Sequence, residues 1–95
     1  MDNILSLIGL AYRAKKIYLG KQNLDNLKDI KYMFIASDAS DKTKERFIRK
    51  CNYYYIEYCL DFDGEQLSKA IGKNNVKIIG IHDEAFKKLI KDKFK

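Results

Sequence analysis

Short apolar runs separated by helix-like segments are the feature that most limits the fold of this chain of 95 residues. The runs "KIYLG", "KYMFIAS", "YYYIEYCL" and "VKIIGI" are rich in β-branched and aromatic residues, which favour strands. Between them, apolar residues recur at helical spacing. Strands that alternate with helices predict an α/β fold. We expect a three-layer α/β/α sandwich with a central mixed sheet of about four strands, covered on both faces.

Helical periodicity locates the first two helices. A wide apolar face predicts a helix from Asn3 to Lys16. A short helix from about Gln22 to Lys28 should bury Leu24 and Leu27, which are three positions apart. Its other, outward face is predicted to carry Gln22, Asn23 and Asn26.

Polar residues that accept hydrogen bonds from free helix amides mark the starts of the later helices. The candidate caps are Ser40 or Asp41, Asp61 or Asp63, and Asp83. Gly72 can end the fourth helix in the left-handed conformation. No linker, repeat or low-complexity tract interrupts the pattern, which predicts a single domain over residues 1–95. The basic net charge of the chain predicts that this single domain binds RNA.

Charge and thiol content narrow the class of protein. The formal net charge is +6 and the pI is near 9.3, so polyanions are the natural partners. Cys51, Cys59 and the single His82 fit no zinc signature. We expect no cofactor or metal, and reduced thiols in a cytoplasmic protein.

The N-terminal apolar stretch predicts neither export nor membrane insertion. Asp2 stands where a signal peptide carries positive charge. Arg13, Lys15 and Lys16 end the stretch far short of a membrane span. We expect a cytoplasmic protein with no membrane partner.

Two polar segments are candidate binding sites. The first begins at Gly20, where a missing Cβ lets a ligand approach the backbone, and continues through amides suited to base edges. The second follows Gly72, where lysines and asparagines suit phosphate and sugar contacts. The alternatives are an ordinary capped surface helix at the first segment and a simple turn at the second, since Asn and Gly tolerate positive φ.

Other groups have more ordinary interpretations. Lys42, Arg46 and Arg49 line one side of the third helix and are expected to form a solvated face. Tyrosines 53, 54, 55 and 58 could stack bases, but alternation along a strand favours packing on both sheet faces. His82 stands beside carboxylates without a nucleophile, so catalysis is poorly supported.

The order of several segments resembles a known family. "LSLIGLAYRAKKIYLG", "MFIASDASDKTKERFIRKC", "QLSKAIGK" and "IIGIHDEAFKKLI" are similar to the bacterial YlxQ-type proteins, small members of the L-seven-Ae/L-thirty-e ribosomal-protein superfamily. The resemblance extends from about Ile4 to Ile90. It implies an α/β/α sandwich that binds kink-turn RNA through the glycine-led turn into the second helix and through the loop after "KAIGK".

The resemblance also shows where this chain departs from kink-turn binders. Those proteins carry Asn, Glu and Lys at positions that correspond to Gln22, Asn23 and Asn26 here. The exchange removes one carboxylate and one cation. Lys21 or Lys28 could partly replace the lost cation.

These observations predict a non-enzymatic, monomeric RNA-binding protein associated with the ribosome or translation, whose polar groups and cations meet on one edge of the sandwich. Structured RNA, ribosomal or other, is the expected partner, with ribosome-associated proteins as further partners. The candidate RNA-binding residues are Lys15, Lys16, Gly20, Lys21, Gln22, Asn23, Asn26, Lys28, Lys73, Asn74, Asn75 and Lys77. The alternative is a protein-interaction module that docks on ribosomal factors through its basic helices, and a small enzyme using His82 is a third hypothesis.

Overall fold

A computed structural model describes residues 3–94 of the chain. Asp2 and the extreme ends of the predicted domain lie outside the described residues. The elements in chain order are α1 (Asn3–Arg13), β1 (Ile17–Leu19), α2 (Gln22–Asp25), a 3₁₀ helix (Leu27–Asp29), β2 (Tyr32–Ile35), α3 (Asp41–Tyr54), β3 (Glu57–Cys59), α4 (Gly64–Ile71), β4 (Ile78–Ile81) and α5 (Glu84–Lys93).

The described strands form one mixed sheet of four, in the order β1-β4-β2-β3. Strand β4 runs antiparallel to both of its neighbours, and β2 and β3 are parallel. Gly80 in β4 is paired with Tyr18 on one side and with Met33 on the other. The predicted mixed sheet is therefore confirmed.

Each face of the sheet carries its own hydrophobic core. Successive side chains of a strand point to opposite faces, so Tyr32 and Phe34 pack with α1, α4 and α5. Met33 and Ile35 pack with α3 and the 3₁₀ helix on the other face. Helices cover both faces, which confirms the three-layer α/β/α sandwich.

The predicted caps are present at the later helices. Ser40 accepts a hydrogen bond from the Thr43 amide at the start of α3. At α4 the cap is Asp63, which forms a reciprocal capping box with Gln66. Asp83 caps α5, and Gly72 ends α4 at a φ of 71°.

The structure corrects the prediction that the tyrosine-rich segment begins a strand. Instead of beginning a strand, Tyr53 and Tyr54 complete the last turn of α3, and Tyr55 ends that helix at a φ of 58°. The Ile56 amide donates to the Cys51 carbonyl across this end, at 2.8 Å. Continued burial of the α3 apolar face outweighs the local strand preference of three tyrosines. Tyr53 and Tyr55 are consequently 76% and 94% exposed.

The two N-terminal helices are also shorter than predicted. Helix α1 ends at Arg13, and Lys15 closes it with a left-handed φ of 61°. The segment 22–28 divides into α2 and the 3₁₀ helix. Within residues 3–94, no helix is both long and apolar enough to cross a bilayer.

Candidate nucleic-acid interface

The turn between β1 and α2 is built around Gly20. Its φ is 51°, and its amide donates to the Ile78 carbonyl at 3.1 Å. A Cβ placed on Gly20 would meet no other atom within 4 Å. Glycine is therefore favoured here by its left-handed backbone and not by internal crowding, and the backbone is open to approach from outside.

Asn23 lies inside this turn, so the prediction that it faces outward is wrong. Its side chain is fully buried. The Nδ2 group donates to the Tyr18 carbonyl at 3.2 Å and to the Gly20 carbonyl at 2.9 Å. The reason is the reversal of the chain: it brings Asn23 back beside β1, where its amide adds a donor to the Tyr18 and Gly20 carbonyls, and the Gly20 carbonyl also accepts from the Asn23 backbone amide at 3.2 Å.

The Asn23 side chain also faces the middle of β4. A Cβ on Gly80 would overlap its Oδ1 atom, so glycine at this position makes room for the amide. Among the described residues, that Oδ1 atom has no hydrogen-bond partner. Asn23 acts as an internal brace between the turn and the central strand.

Gln22 and Asn26 also serve the turn but remain accessible. The Leu19 amide donates to Gln22 Oε1 at 3.1 Å. Asn26 Nδ2 donates to the Gln22 carbonyl at 2.8 Å. Gln22 is exposed and Asn26 is half-buried, next to exposed Lys21 and Lys28. The outward placement of Gln22 is confirmed.

The second loop returns from α4 to the start of β4. Its turn uses Asn75 at a φ of 58°, as expected for asparagine. The Val76 amide donates to Ser68 Oγ at 2.9 Å, and the Lys77 carbonyl accepts from the Ala36 amide at 2.8 Å. The Gly20 amide donates to the carbonyl of Ile78, the residue after Lys77. Both predicted segments therefore reach the same end of the strands, which we call the Gly20 edge of the sheet.

Lys77 has a carboxylate partner that the sequence pattern does not single out. Its Nζ lies 3.2 Å from Asp38 Oδ2, and the other Asp38 oxygen accepts from the Gly64 amide at 2.8 Å. The hydrogen bond from Gly64 and the ammonium of Lys77 hold the pKa of Asp38 below its ordinary value. Both charged side chains are about half exposed, so the pair is a weak one that an incoming phosphate can compete with.

The remaining predicted cations lie elsewhere, which corrects the expectation of a single edge. The Lys16 carbonyl accepts from the His82 amide, at the end of β4 opposite to Ile78. Lys15 and Lys16 therefore precede β1 at one end of the strand, whereas Gly20 follows β1 at its other end, about 13 Å away. Lys73 turns toward α1, where its Nζ lies 5.9 Å from the centroid of the Tyr12 ring.

His82, the residue of the enzyme hypothesis, directly follows the last residue of β4. Its ring packs on Tyr18, with centroids 4.4 Å apart. Within the part of the chain that the structure describes, no group of three or more His, Cys, Asp or Glu side chains could hold a metal ion.

Comparison with known proteins places the chain among its relatives. No protein-family model matches the sequence. "RNA-binding protein YlxQ" of Enterococcus faecium is 36% identical over 92 residues, covering 93% of this chain and 87% of the relative. "RNA-binding protein YlxQ" of Bacillus subtilis (strain 168) is 33% identical over 85 residues, covering 84% of this chain and 83% of the relative.

Solved structures show the same architecture. A protein of unknown function from Bacillus halodurans C superposes with a TM-score of 0.89 at 28% identity, covering 98% of this chain and 97% of that one. The Giardia lamblia 15.5kD RNA binding protein has a TM-score of 0.79 at 18% identity, covering 95% of this chain and 80% of the other, and shows the fold alone. Sequence identity above 30% over nearly the whole length is decisive for the first two relatives, and the chain belongs to the YlxQ family.

Proposed function

We propose that this chain is a non-enzymatic RNA-binding protein that contacts structured RNA at the sheet edge where the Gly20 turn meets the 74–77 loop. The names of two curated relatives describe RNA binding, and both align over more than four fifths of this chain. The net charge of +6 suits a polyanionic partner.

The observation that carries the proposal is the open backbone at Gly20. A turn that is braced from inside by Asn23, with nothing within 4 Å of a Cβ at Gly20, offers a rigid and accessible main chain. Exposed Lys21 directly follows Gly20, and exposed Lys28 follows in the 3₁₀ helix; both would contact phosphates, while Gln22 would meet base edges or sugars.

The other candidate residues take different roles. Asn26 is half-buried, and the accessible part of its side chain, with the side-chain carbonyl oxygen, would contact the RNA. Asn74, Asn75 and Lys77 would extend the contact along the second loop. Lys15, Lys16 and Lys73 are phosphate contacts only for an RNA long enough to pass around the sheet to the opposite edge.

The cellular setting follows from the same proposal. A basic RNA-binding domain would act in the cytoplasm, on ribosomal or other structured RNA, as a monomer. Ribosome-associated proteins would be neighbours on the same RNA.

Fluorescence anisotropy of labelled RNA hairpins tests the proposal. One hairpin contains a kink-turn and a second one lacks the internal loop. The combined variant Lys21→Ala, Gln22→Ala, Lys28→Ala should weaken binding and reduce the slope of log K against log salt by about 2, because two phosphate contacts are lost. The matched control removes two lysines from α5, Lys88→Ala and Lys93→Ala, and should leave the affinity close to that of the parent chain.

The same experiment includes outcomes against the proposal. Affinity that is unchanged in the turn variant would remove this edge from RNA binding. A partner that is retained after nuclease treatment and is insensitive to salt would favour the protein-interaction alternative.

A further inference from the structure

Helix α3 exposes a stripe of cations that the Gly20 edge does not use. Lys42, Arg46 and Arg49 are exposed and recur four and three positions apart, and exposed Tyr53 follows four positions later. This spacing places all four on one flank of the helix, with Lys50 beside them. We call these residues, together with Tyr55 just beyond the helix end, the α3 stripe.

The α3 stripe exposes most of its positive charge to solvent. The ion pairs among residues 3–94 include none formed by Lys42, Arg46, Arg49 or Lys50. Asp41 lies across the helix and pairs with Lys44 at 3.8 Å. Glu45 borders the stripe, three positions after Lys42 and four before Arg49, and forms no ion pair within residues 3–94. The stripe therefore presents positive charge to solvent along about 10 Å of helix.

Aromatic rings continue the stripe at its C-terminal end. Tyr53 is 76% exposed and touches the Tyr54 ring edge-on, with centroids 5.0 Å apart. Tyr55 is 94% exposed, although its φ of 58° is a conformation for which glycine is strongly favoured. A bulky ring kept on a strained backbone, with almost no burial in return, has no packing role to explain it.

The rings lie at the end of the sheet opposite to the Gly20 turn, because Glu57, two residues after Tyr55, is level with Tyr32 and Ile81. Tyr54 lines a surface groove together with residues 24–29, so the segment that carries Lys28 runs beside the end of α3. An RNA that contacts both the Gly20 turn and the rings would have to run along residues 24–29 from one end of the sheet to the other.

We infer that the α3 stripe is a second nucleic-acid contact that takes single-stranded RNA, with phosphates along Lys42, Arg46 and Arg49 and bases stacked on Tyr53 and Tyr55. Single strands fit better than duplexes, because the rings can stack only on bases that are not already paired and stacked. The inference does not require the Gly20 edge to bind RNA.

The probe is a fluorescein-labelled RNA decamer of adenosine and cytidine, a composition that does not pair with itself. Anisotropy titrations at low salt compare the parent chain with Tyr53→Ala and with Tyr55→Gly. Each substitution removes one stacking platform and should weaken binding about 5-fold or more. Tyr55→Gly also relieves the left-handed strain, so its thermal unfolding midpoint should not fall, and lost binding cannot be explained by lost fold.

Charge removal provides the second arm. The triple variant Lys42→Gln, Arg46→Gln, Arg49→Gln should reduce the slope of log K against log salt by about 2 for a single strand. The matched control, Lys87→Gln, Lys88→Gln, Lys93→Gln, removes the same charge from α5 on the opposite face of the sheet and should keep most of the slope.

Three results would overturn the inference: no binding of the decamer by the parent chain, unchanged binding by the stripe variants, or an equal loss in the α5 control. Failure of the Gly20 edge gives a different pattern. In that case the hairpins bind the turn variant as well as the parent, while decamer binding still depends on Tyr53 and Tyr55.

Discussion

Asn23 donates two hydrogen bonds from one buried amide, to the carbonyls of Tyr18 and Gly20. Tyr18 lies in β1 opposite Gly80, and Gly20 begins the turn that leads into α2. Removing the amide takes one hydrogen bond from each carbonyl and leaves a small cavity beside β4. The conformation of the turn therefore depends on a side chain that a ligand does not touch.

Asn23→Ala should lower the free energy of unfolding by about 1–3 kcal/mol, because two buried hydrogen bonds worth roughly 0.5–1.5 kcal/mol each are lost. Urea denaturation followed by circular dichroism measures the change. Gln22→Ala is the control, because its exposed side chain can be replaced by water and should cost less than about 1 kcal/mol. Equal effects of the two substitutions would contradict the role of Asn23 as a brace.

Tyr55 and Gly72 end α3 and α4 with the same left-handed geometry, at φ values of 58° and 71°. Tyr55→Gly should therefore raise the free energy of unfolding by about 1 kcal/mol, and Gly72→Ala should lower it by about the same amount. Thermal and urea unfolding of both variants check the pair. A Tyr55→Gly variant that is clearly less stable than the parent would show that the exposed ring makes contacts that stabilise the fold.

The sequence predicts the amide cluster around Gly20 but not the direction of each amide. Three amides at positions 22, 23 and 26 share a helix face only if α2 is regular and that face points outward. The turn instead directs Asn23 inward, where its amide reaches the Tyr18 and Gly20 carbonyls next to Gly80, an arrangement that exists only once β1 pairs with β4. Burial of Asn23 is thus a tertiary effect that spacing along the chain does not encode.

At the scale of elements, α1 and α4 approach closely through Gly9. A Cβ on Gly9 would lie 2.8 Å from the Ala70 carbonyl oxygen, a backbone atom that cannot move aside like a flexible side chain. The two helices pack on the same face of the sheet, with Ile4, Ile8 and Leu67 beneath them.

Gly9→Ala should lower the free energy of unfolding by up to about 2 kcal/mol. Overpacking costs about 1–3 kcal/mol, and the gain in helix propensity of about 1 kcal/mol offsets only part of it. Urea denaturation measures the effect, with the exposed Arg13→Ala in the same helix as a near-neutral control. A more stable Gly9→Ala variant would mean that the helices separate without loss of packing.

Asp38 joins the loop after β2 to the first turn of α4 and to Lys77. Because these contacts lower its folded-state pKa, its contribution to stability is present above the unfolded-state pKa and disappears as pH falls through the folded-state pKa. Asp38→Asn should therefore reduce the loss of stability between about pH 5 and strongly acidic solution. Urea midpoints across that range measure it, and an unchanged acid dependence would contradict the assignment.

Local chemistry explains which elements the sequence predicts well. Ser40, Asp63 and Asp83 cap their helices through bonds to amides three residues away, so the signal lies within one turn of chain. The tyrosine run is different, because strand preference and continuation of α3 compete over the same residues. Burial of Phe47 and Cys51 on the α3 apolar face decides the competition, and that burial is visible only in the folded sheet.

At the scale of the whole molecule, the direction of β1 separates the candidate cations. Lys16 enters the strand beside His82 and Gly20 leaves it beside Ile78, at opposite ends of β4. A net charge of +6 favours RNA binding in general, but it does not identify the surface that RNA would contact. The Gly20 turn with Lys21, the following segment with Lys28 and the stripe on α3 are places where exposed cations accompany groups able to recognise bases.

Asp38 limits the positive charge of that edge, because it pairs with Lys77. If Lys77 contacts phosphate, Asp38→Asn should raise hairpin affinity by making the edge more positive, and it should steepen the salt dependence. Anisotropy titration of the kink-turn hairpin measures both quantities. Weaker or unchanged binding would place Lys77 outside the RNA contact.

The salt dependence of hairpin binding, compared between the parent chain and the Lys21→Ala, Gln22→Ala, Lys28→Ala variant, is the most direct measurement of the central claim. The proposed edge predicts tight binding at low salt, a linear fall of log K with log salt, and a slope smaller by about 2 in the variant at unchanged folding stability. Identical slopes and affinities for the two proteins would contradict RNA recognition at the Gly20 turn.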